Sequence, residues 1–390
     1  DYDVEVYGLD SMDQLEKVLS HYGKVKLVGK SFSVLKFIHE GTEYDFAFPR
    51  TERKTGSGHR GFDVSVDGSM AFEAAARRRD FTVNAMGYDI AGKCFLDPFG
   101  GRRDLERKIL RHIDARTFVE DPLRLYRGVQ FCARFGFTMD VLTKRLCRNM
   151  AEEGMLDELP KERVFGEIKK LLLQAEKPSA GFVLLKTLGA LRYFPHLSDL
   201  PENLWQESLR RLDVMAMLKE AKQEKALILM LSALVLSMER ESQVQELIGW
   251  LSNEVKLISS VVMLWRYYRE IGAISESEDL DTEVRKLSVK ANISDLVLIA
   301  KVDYLAKKAL MKGTFKAGDK VLQRAERLGV SQAPPKPLLQ GRDLLQLGHK
   351  PSPKFKEILE TVYDAQLRGV MKTKEEALEF VVKMFHKNLS

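Results

Sequence analysis

Apolar and polar positions change rhythm near residue 110. Before it, short stretches alternate with period two, at 4–7, 25–28, 33–38 and 44–48. That spacing sends successive side chains to opposite faces and predicts strands. Residues 11–19 carry a helical pattern with Ser11 placed as its N-cap. Gly41-Thr42-Glu43 reads as a turn, so early strands are expected to pair through hairpins. Residues 50–61 are polar, basic and glycine-rich and are expected to form a mobile loop. After residue 110 the apolar period lengthens to that of a helix. Helices are expected over 122–135, 160–173, 180–191, 226–236 and 247–268. Ala333-Pro334-Pro335-Lys336-Pro337 breaks the pattern before two last helices. The fold class expected is α+β, a mixed α/β head followed by an all-α neck, body and tail.

Composition narrows the options. The chain has 390 residues, 45% hydrophobic and 30% charged, enough for two or three cored domains. It has no apolar run long enough to span a membrane, and no membrane partner is expected. The start, Asp1-Tyr2-Asp3-Val4, lacks the basic and apolar regions of a signal peptide and lacks an initiator Met, so residues ahead of Asp1 are expected. Cys94, Cys132 and Cys147 form neither a zinc pattern nor a disulfide framework, and a reducing cytoplasm is the expected location. A net charge of +6 and a pI of about 8.9 permit a nucleic-acid partner without establishing one.

Several segments carry candidate chemistry. Asp1 and Asp3 fall on one face of a strand, where two carboxylates this close repel unless a cation lies between them. Hard oxygen ligands suit Mg²⁺, and Asp45 on another strand can complete the cluster. The alternative is a solvated acidic pair. Arg77-Arg78-Arg79-Asp80 can grip a triphosphate through charge-assisted hydrogen bonds, with Asp80 accepting from a ribose hydroxyl and Asn84 nearby. The alternative is a basic helix face. Asp97-Pro98-Phe99-Gly100-Gly101 is a turn opening a helix and is expected to shape the site. In Glu120-Asp121-Pro122-Leu123-Arg124, Asp121 is an N-cap and Pro122 the first helical residue. Arg124, Arg127 and Phe131 then share a face with Arg134 beyond. Asp121 and Arg124 can present an acceptor and donors to a base edge, or can be a capped helix with a surface arginine row. Glu162, Arg163, Glu167 and Lys170 are expected to brace a helix turn.

Taken in order, DxD, RRD-FTVNAM, DPFGG-x-x-DL, EDP-x-R-x-x-R and ER-x-x-x-E-x-x-K resemble the class II tRNA nucleotidyltransferase (CCA-adding enzyme) and bacterial poly(A) polymerase family. The resemblance covers about residues 1–175, and residues 344–381 resemble the tail of many members. It implies a polymerase beta-like nucleotidyltransferase head over 1–110, with its N-terminal part upstream, because the family carries Gly-Gly-x-Val-Arg-Asp before its DxD. A neck that recognises the base follows over 111–175, then a helical body over 176–330 and an RNA-binding tail over 331–390.

By position, the resemblance makes Asp1 and Asp3 the metal ligands, and Asp1, Asp3 and Asp45 the catalytic carboxylates. Arg78, Arg79, Asp80 and Asn84 would hold triphosphate and ribose, Asp121 and Arg124 the base, and Arg127 phosphate. It implies Mg²⁺ as cofactor and ATP, CTP and the 3′ end of tRNA as partners. The loop around 50–61 resembles one that assists the switch to A addition. The strand at Leu27-Val28-Gly29-Lys30 has one basic residue and no His, which favours the tRNA enzyme over a poly(A) polymerase. No paired His-Asp ligands mark a second, phosphohydrolase site. A poly(A) polymerase, a CC-only or A-only enzyme, and an inactive RNA-binding relative remain the alternatives.

Overall fold

The computed structural model describes residues 2–9, 11–28, 34–54, 62–219, 223–347 and 353–385. It forms two compact units, Asp1–Ala175 with Ala180–Tyr193, and Glu176–Ser179 with Phe194–Ser390.

The first unit opens with β1 (Tyr2–Glu5), α1 (Met12–Ser20), β2 (Lys24–Val28), β3 (Val34–His39) and β4 (Thr42–Ala47). Their sheet runs β1-β4-β3-β2, with β1 parallel to β4 and the other pairs antiparallel. A parallel pair needs a crossover, and α1 lies on that path. Leu15 and Leu19 of α1 share one buried cluster with Leu35, Phe37 and Phe48. Leu35 is fully buried, so Leu35→Ala costs about 2–5 kcal/mol. The period of two then leaves the other face polar. There Asp3 stands abreast of Asp45, and Asp45 abreast of Lys36.

Residues 50–54 depart from the expected loop. They form β5 (Arg50–Lys54), paired antiparallel with β6 (Phe62–Val66). Residues 55–61 lie outside the described residues, as does Asp1. After α2 (Phe72–Ala76) and a 3-10 turn at Thr82–Asn84 comes a hairpin of β7 (Gly87–Asp89) and β8 (Cys94–Leu96). The Pro-Gly turn then opens α3 (Gly101–Glu106) as expected, and the Asp97 carboxylate accepts from the amides of Gly101 (2.6 Å) and Arg102 (3.0 Å). Gly100 has φ of 72°, a left-handed conformation suited to glycine. A Cβ on Gly101 would meet the Thr82 carbonyl at 2.2 Å, so this backbone can approach only as glycine.

The unit continues through β9 (Ile109–Leu110), α4 (Ala115–Phe118), α5 (Leu123–Phe135), β10 (Thr138–Met139), α6 (Val141–Glu152) and α7 (Lys161–Gln174), and α5 packs along α7. The helix α8 (Pro178–Thr187) follows.

The second unit is helical throughout its described residues. Its elements are α9 (Glu202–Leu218), α10 (Gln223–Val235), α11 (Glu241–Leu251), α12 (Val255–Tyr267), α13 (Glu270–Ser275), α14 (Leu280–Lys290), α15 (Ile293–Lys307), α16 (Lys316–Arg327), α17 (Gly341–Gln346), α18 (Pro353–Leu367) and α19 (Lys374–Phe385). The single helix expected over 247–268 is two. Ser252 is extended, and its hydroxyl accepts from the Glu254 amide at 3.2 Å, a local bond that competes with helix continuation. Arg211 of α9 is 2% exposed and donates to Asp303 of α15, the Ser237 hydroxyl and Glu207. Three helices, α17 to α19, follow the proline-rich break where the pattern predicts two, and they share one core that includes Leu344, Ile358, Val362, Ala377 and Val381. The α+β class is that expected.

Candidate active site

The polar face of the sheet, the turn after α2 and the start of α5 enclose a cleft of about 730 Å³, within the range of small-ligand sites. Asp3, Asp45, Arg78, Arg79, Asp80, Asn84, Asp121, Arg124 and Arg127 all line it. Those are the site residues expected from the sequence, apart from Asp1. Residues as far apart in sequence as Asp3 and Arg127 thus meet in one place.

The carboxylates come from the sheet. Asp3 and Asp45 face the cleft side by side because β1 and β4 pair in that register. Asp45 Oδ1 is buried without a hydrogen-bond partner. The Lys36 ammonium stands 3.6 Å from that oxygen, close enough for Coulombic attraction and too far for a hydrogen bond. Lys36 is instead taken up by Glu43, which holds the lysine above its ordinary pKa. A buried carboxylate oxygen left open beside a second carboxylate fits a divalent cation, which accepts oxygen ligands and satisfies the lone pair. Among the described residues there is no group of three or more side chains placed to hold a metal ion.

The arginines come from a turn and not from a helix face. The helix α2 ends at Ala76, and Arg77 to Asp80 follow it. Asp80 is 6% exposed and fully engaged. Its Oδ1 accepts from the Phe81 amide and Asn84 Nδ2, both at 2.9 Å, and its Oδ2 accepts from Arg127 Nε at 2.7 Å. The Asp80 charge beside Arg127 opposes the desolvation that would otherwise depress the guanidinium, and the net effect keeps Arg127 above its ordinary value. Arg79 donates to the Asn84 carbonyl (2.9 Å) and to Glu5 (3.4 Å). Among the described residues Arg78 is held more loosely, 3.9 Å from Glu120. Arg78 and Arg79 therefore keep donor capacity toward the cleft.

The neck supplies the third wall. Pro122 stands one position before the first helical residue, so the N-cap falls there, but the Asp121 carboxylate still accepts from the Leu123 amide at 3.2 Å. Its other oxygen accepts from Arg163 of α7 at 3.1 Å. Arg124 donates to the carbonyls of Thr117 (2.7 Å) and Arg78 (2.6 Å). The second bond ties the helix α5 directly to the arginine turn, so the two walls share one register.

Two polar lining residues, Glu5 and Arg163, escaped the sequence reading of the site, as did Lys36 beside Asp45. Glu5 repeats the period of Asp3 and was visible there in principle. Arg163 was read as a structural brace, and only its meeting with Asp121 brings it to the cleft. Lys36 had no signal, since its approach to Asp45 depends on strand register. From the bracing helix, Glu167 is 5% exposed, accepts from Lys170 at 2.8 Å and leaves its Oε2 without a partner.

Paired carboxylates on a sheet facing an arginine turn are the arrangement the motifs predict for a nucleotidyltransferase head. Residues 1–111 match the poly A polymerase head domain, and residues 136–200 match the probable RNA and SrmB-binding site of polymerase A, so the family resemblance of the motifs holds. Among curated proteins the chain is similar to the multifunctional CCA proteins of Laribacter hongkongensis, 44% identical over 174 residues, and of Herminiimonas arsenicoxydans, 41% identical over 204 residues. Those matches cover 44% and 50% of this chain, and 42% and 48% of the relatives. The chain thus spans less than half the length of these relatives.

Two solved structures share the fold. A CCA-adding enzyme with CTP superposes with a TM-score of 0.67 at 20% identity, covering 98% of this chain and 87% of the other. The Thermotoga maritima CCA-adding enzyme complexed with tRNA gives 0.61 at 20% identity, covering 98% and 86%. Among the described residues no helix is long and apolar enough to cross a membrane.

Proposed function

We propose that the chain is a template-independent RNA nucleotidyltransferase that adds CCA, from CTP and ATP, to the 3′ end of tRNA. The observation that carries this reading is one cleft in which the carboxylate pair, the arginine turn and the Asp121–Arg124 edge converge. In this reading residues 1–110 are the catalytic head and 111–175 the base-reading neck. Residues 176–330 are the body and 331–390 the RNA-binding tail.

Asp3 and Asp45 would hold Mg²⁺; Asp1, the other metal ligand expected from the sequence, lies outside the described residues. When bound, Mg²⁺ supplies Lewis acidity toward the RNA 3′-hydroxyl and the leaving pyrophosphate. Arg78 and Arg79 bind the triphosphate through charge-assisted hydrogen bonds, and Arg127 adds positive charge while Asp80 fixes its direction. Asn84 and Asp80 border the ribose. Cytosine and adenine both present an exocyclic amino donor that Asp121 can accept, and a ring nitrogen to which Arg124 can donate. Uracil and guanine present the opposite polarity on that edge, and the carboxylate rejects them. Catalysis is then positioning and electrostatics, with no covalent enzyme intermediate. The work on tRNA would place the protein in the cytoplasm.

The test uses a tRNA transcript lacking its terminal CCA. Incubation with CTP alone, ATP alone and both, followed by a sequencing gel, separates the readings. Addition that halts once CCA is complete supports a CCA enzyme. An A ladder would mean a poly(A) polymerase, and a halt at CC or a demand for CC-ended tRNA would mean a specialist.

A further inference from the structure

The helix α5 carries a row of rings that leads out of the cleft. Phe131 lines the cleft, backed edge-on by Phe81 at 6.0 Å. Its ring stacks on Phe135 with centroids 5.8 Å apart and planes 24° apart, and Phe135 meets Phe137 at 5.8 Å. Guanidinium groups accompany the row. Arg127 lies over Phe131 at 5.5 Å, and Arg134 over Phe135 at 4.8 Å. The inner end is dry, with Phe81 and its neighbour Phe118 fully buried. The outer end is open, with Phe135 48% exposed.

A row built only for packing gains little by ending on a half-exposed ring flanked by cations. Single-stranded nucleic acid explains both features, because bases stack on aromatic rings and guanidinium planes while phosphates pair with the same arginines. We propose that the Phe131–Phe135–Arg134 surface is the path for the single-stranded RNA that leads to the reacting 3′ end, with one unpaired base laid on Phe135 and Arg134. The row is continuous with the cleft, which fixes the occupant as RNA next to the site of addition. This rests on the nucleotidyltransferase reading and names where its RNA substrate enters.

The test compares Phe135→Ala and Phe135→Tyr with the wild-type full-length protein. The probes are a tRNA transcript lacking its CCA and a short single-stranded RNA, both used in filter binding and the first also in CMP addition. Phe135→Ala is expected to weaken binding of both RNAs about tenfold and to raise the KM for RNA equally. The KM for CTP and kcat at saturating RNA stay within about twofold of wild type. Phe135→Tyr, which keeps a ring, restores the loss. Unchanged RNA binding by a folded Phe135→Ala variant overturns the proposal and leaves the row as packing alone. An equal loss in both variants also overturns it. If the wild type transfers no nucleotide while the binding pattern holds, the RNA path stands and the catalytic reading falls.

Discussion

The charged side chains of the turn and neck walls are each held by a neighbour, and that sets what their removal does. Arg124 satisfies the carbonyls of Thr117 and Arg78 at once. Arg124→Ala therefore has two effects. It removes a donor from the base edge, and it leaves carbonyls to find water, at about 1–3 kcal/mol. The expected outcome is misincorporation of UMP and GMP, raised more than RNA binding is weakened, together with a lower unfolding midpoint. Fidelity equal to wild type would remove Arg124 from base reading. Asp121 and Arg124 were legible as a pair from their spacing. The two carbonyls were not, because which way a long side chain points depends on the elements packed around it.

His112 gives the site's flank a dependence on pH. Its amide donates to the Thr143 hydroxyl at 3.0 Å, and its Nδ1 lies 2.8 Å from the same oxygen. The hydroxyl accepts from the amide and can donate to Nδ1 only while that nitrogen is unprotonated. Burial holds the imidazole below its ordinary value, with Asp140 and Asp114 pulling upward and Arg111 pushing down. The unfolded chain takes up this proton near pH 6.5, as an unperturbed histidine does, and the folded chain only at lower pH. Stability from this group is therefore complete above about pH 6.5 and declines as pH falls below it. Urea melts at about pH 7 and pH 5 should show a drop that His112→Gln reduces. An identical drop in the variant would remove His112 as its source.

At the scale of elements, the head is organised by one crossover. The alternation along β1 and β4 was legible, so the carboxylates could be assigned to one face of each strand. Their meeting was not, because a register between strands some 40 residues apart is set by the α1 crossover and the buried cluster under it. The hairpin of β5 and β6 was missed for a related reason. Its first strand, Arg50-Thr51-Glu52-Arg53-Lys54, carries no apolar alternation, and its second, Phe62-Asp63-Val64-Ser65-Val66, alternates only beyond the polar segment. In the helical unit, Arg211 links α9 to α15 through Asp303 with both side chains nearly dry. Arg211→Met leaves Asp303, Glu207 and Ser237 short of a donor, and Lys307 compensates Asp303 in part. A loss of about 3–5 kcal/mol is expected in urea unfolding of the full-length protein. A variant as stable as wild type would show that water replaces the guanidinium.

For the whole molecule, the order of motifs was more legible than any one of them. Each segment alone admits a solvated or structural role, and five in sequence point to one site. The structure gives the physical content of that order, since the elements carrying four of the five border a single cleft and the Asp97 turn lies outside its lining. The helical body was legible only as helices. Long-range partners such as Arg211 and Asp303 have no signature in local spacing, and period alone placed one helix where Ser252 divides two.

The central claim is that sheet carboxylates hold the cation that drives transfer to RNA. Its most direct test is divalent-dependent CMP addition to a tRNA transcript lacking CCA, measured for wild type and Asp3→Asn with tRNA binding followed in parallel. The account predicts a fall in transfer of at least about a hundredfold with tRNA affinity kept within about twofold. Transfer at the wild-type rate by Asp3→Asn would contradict it.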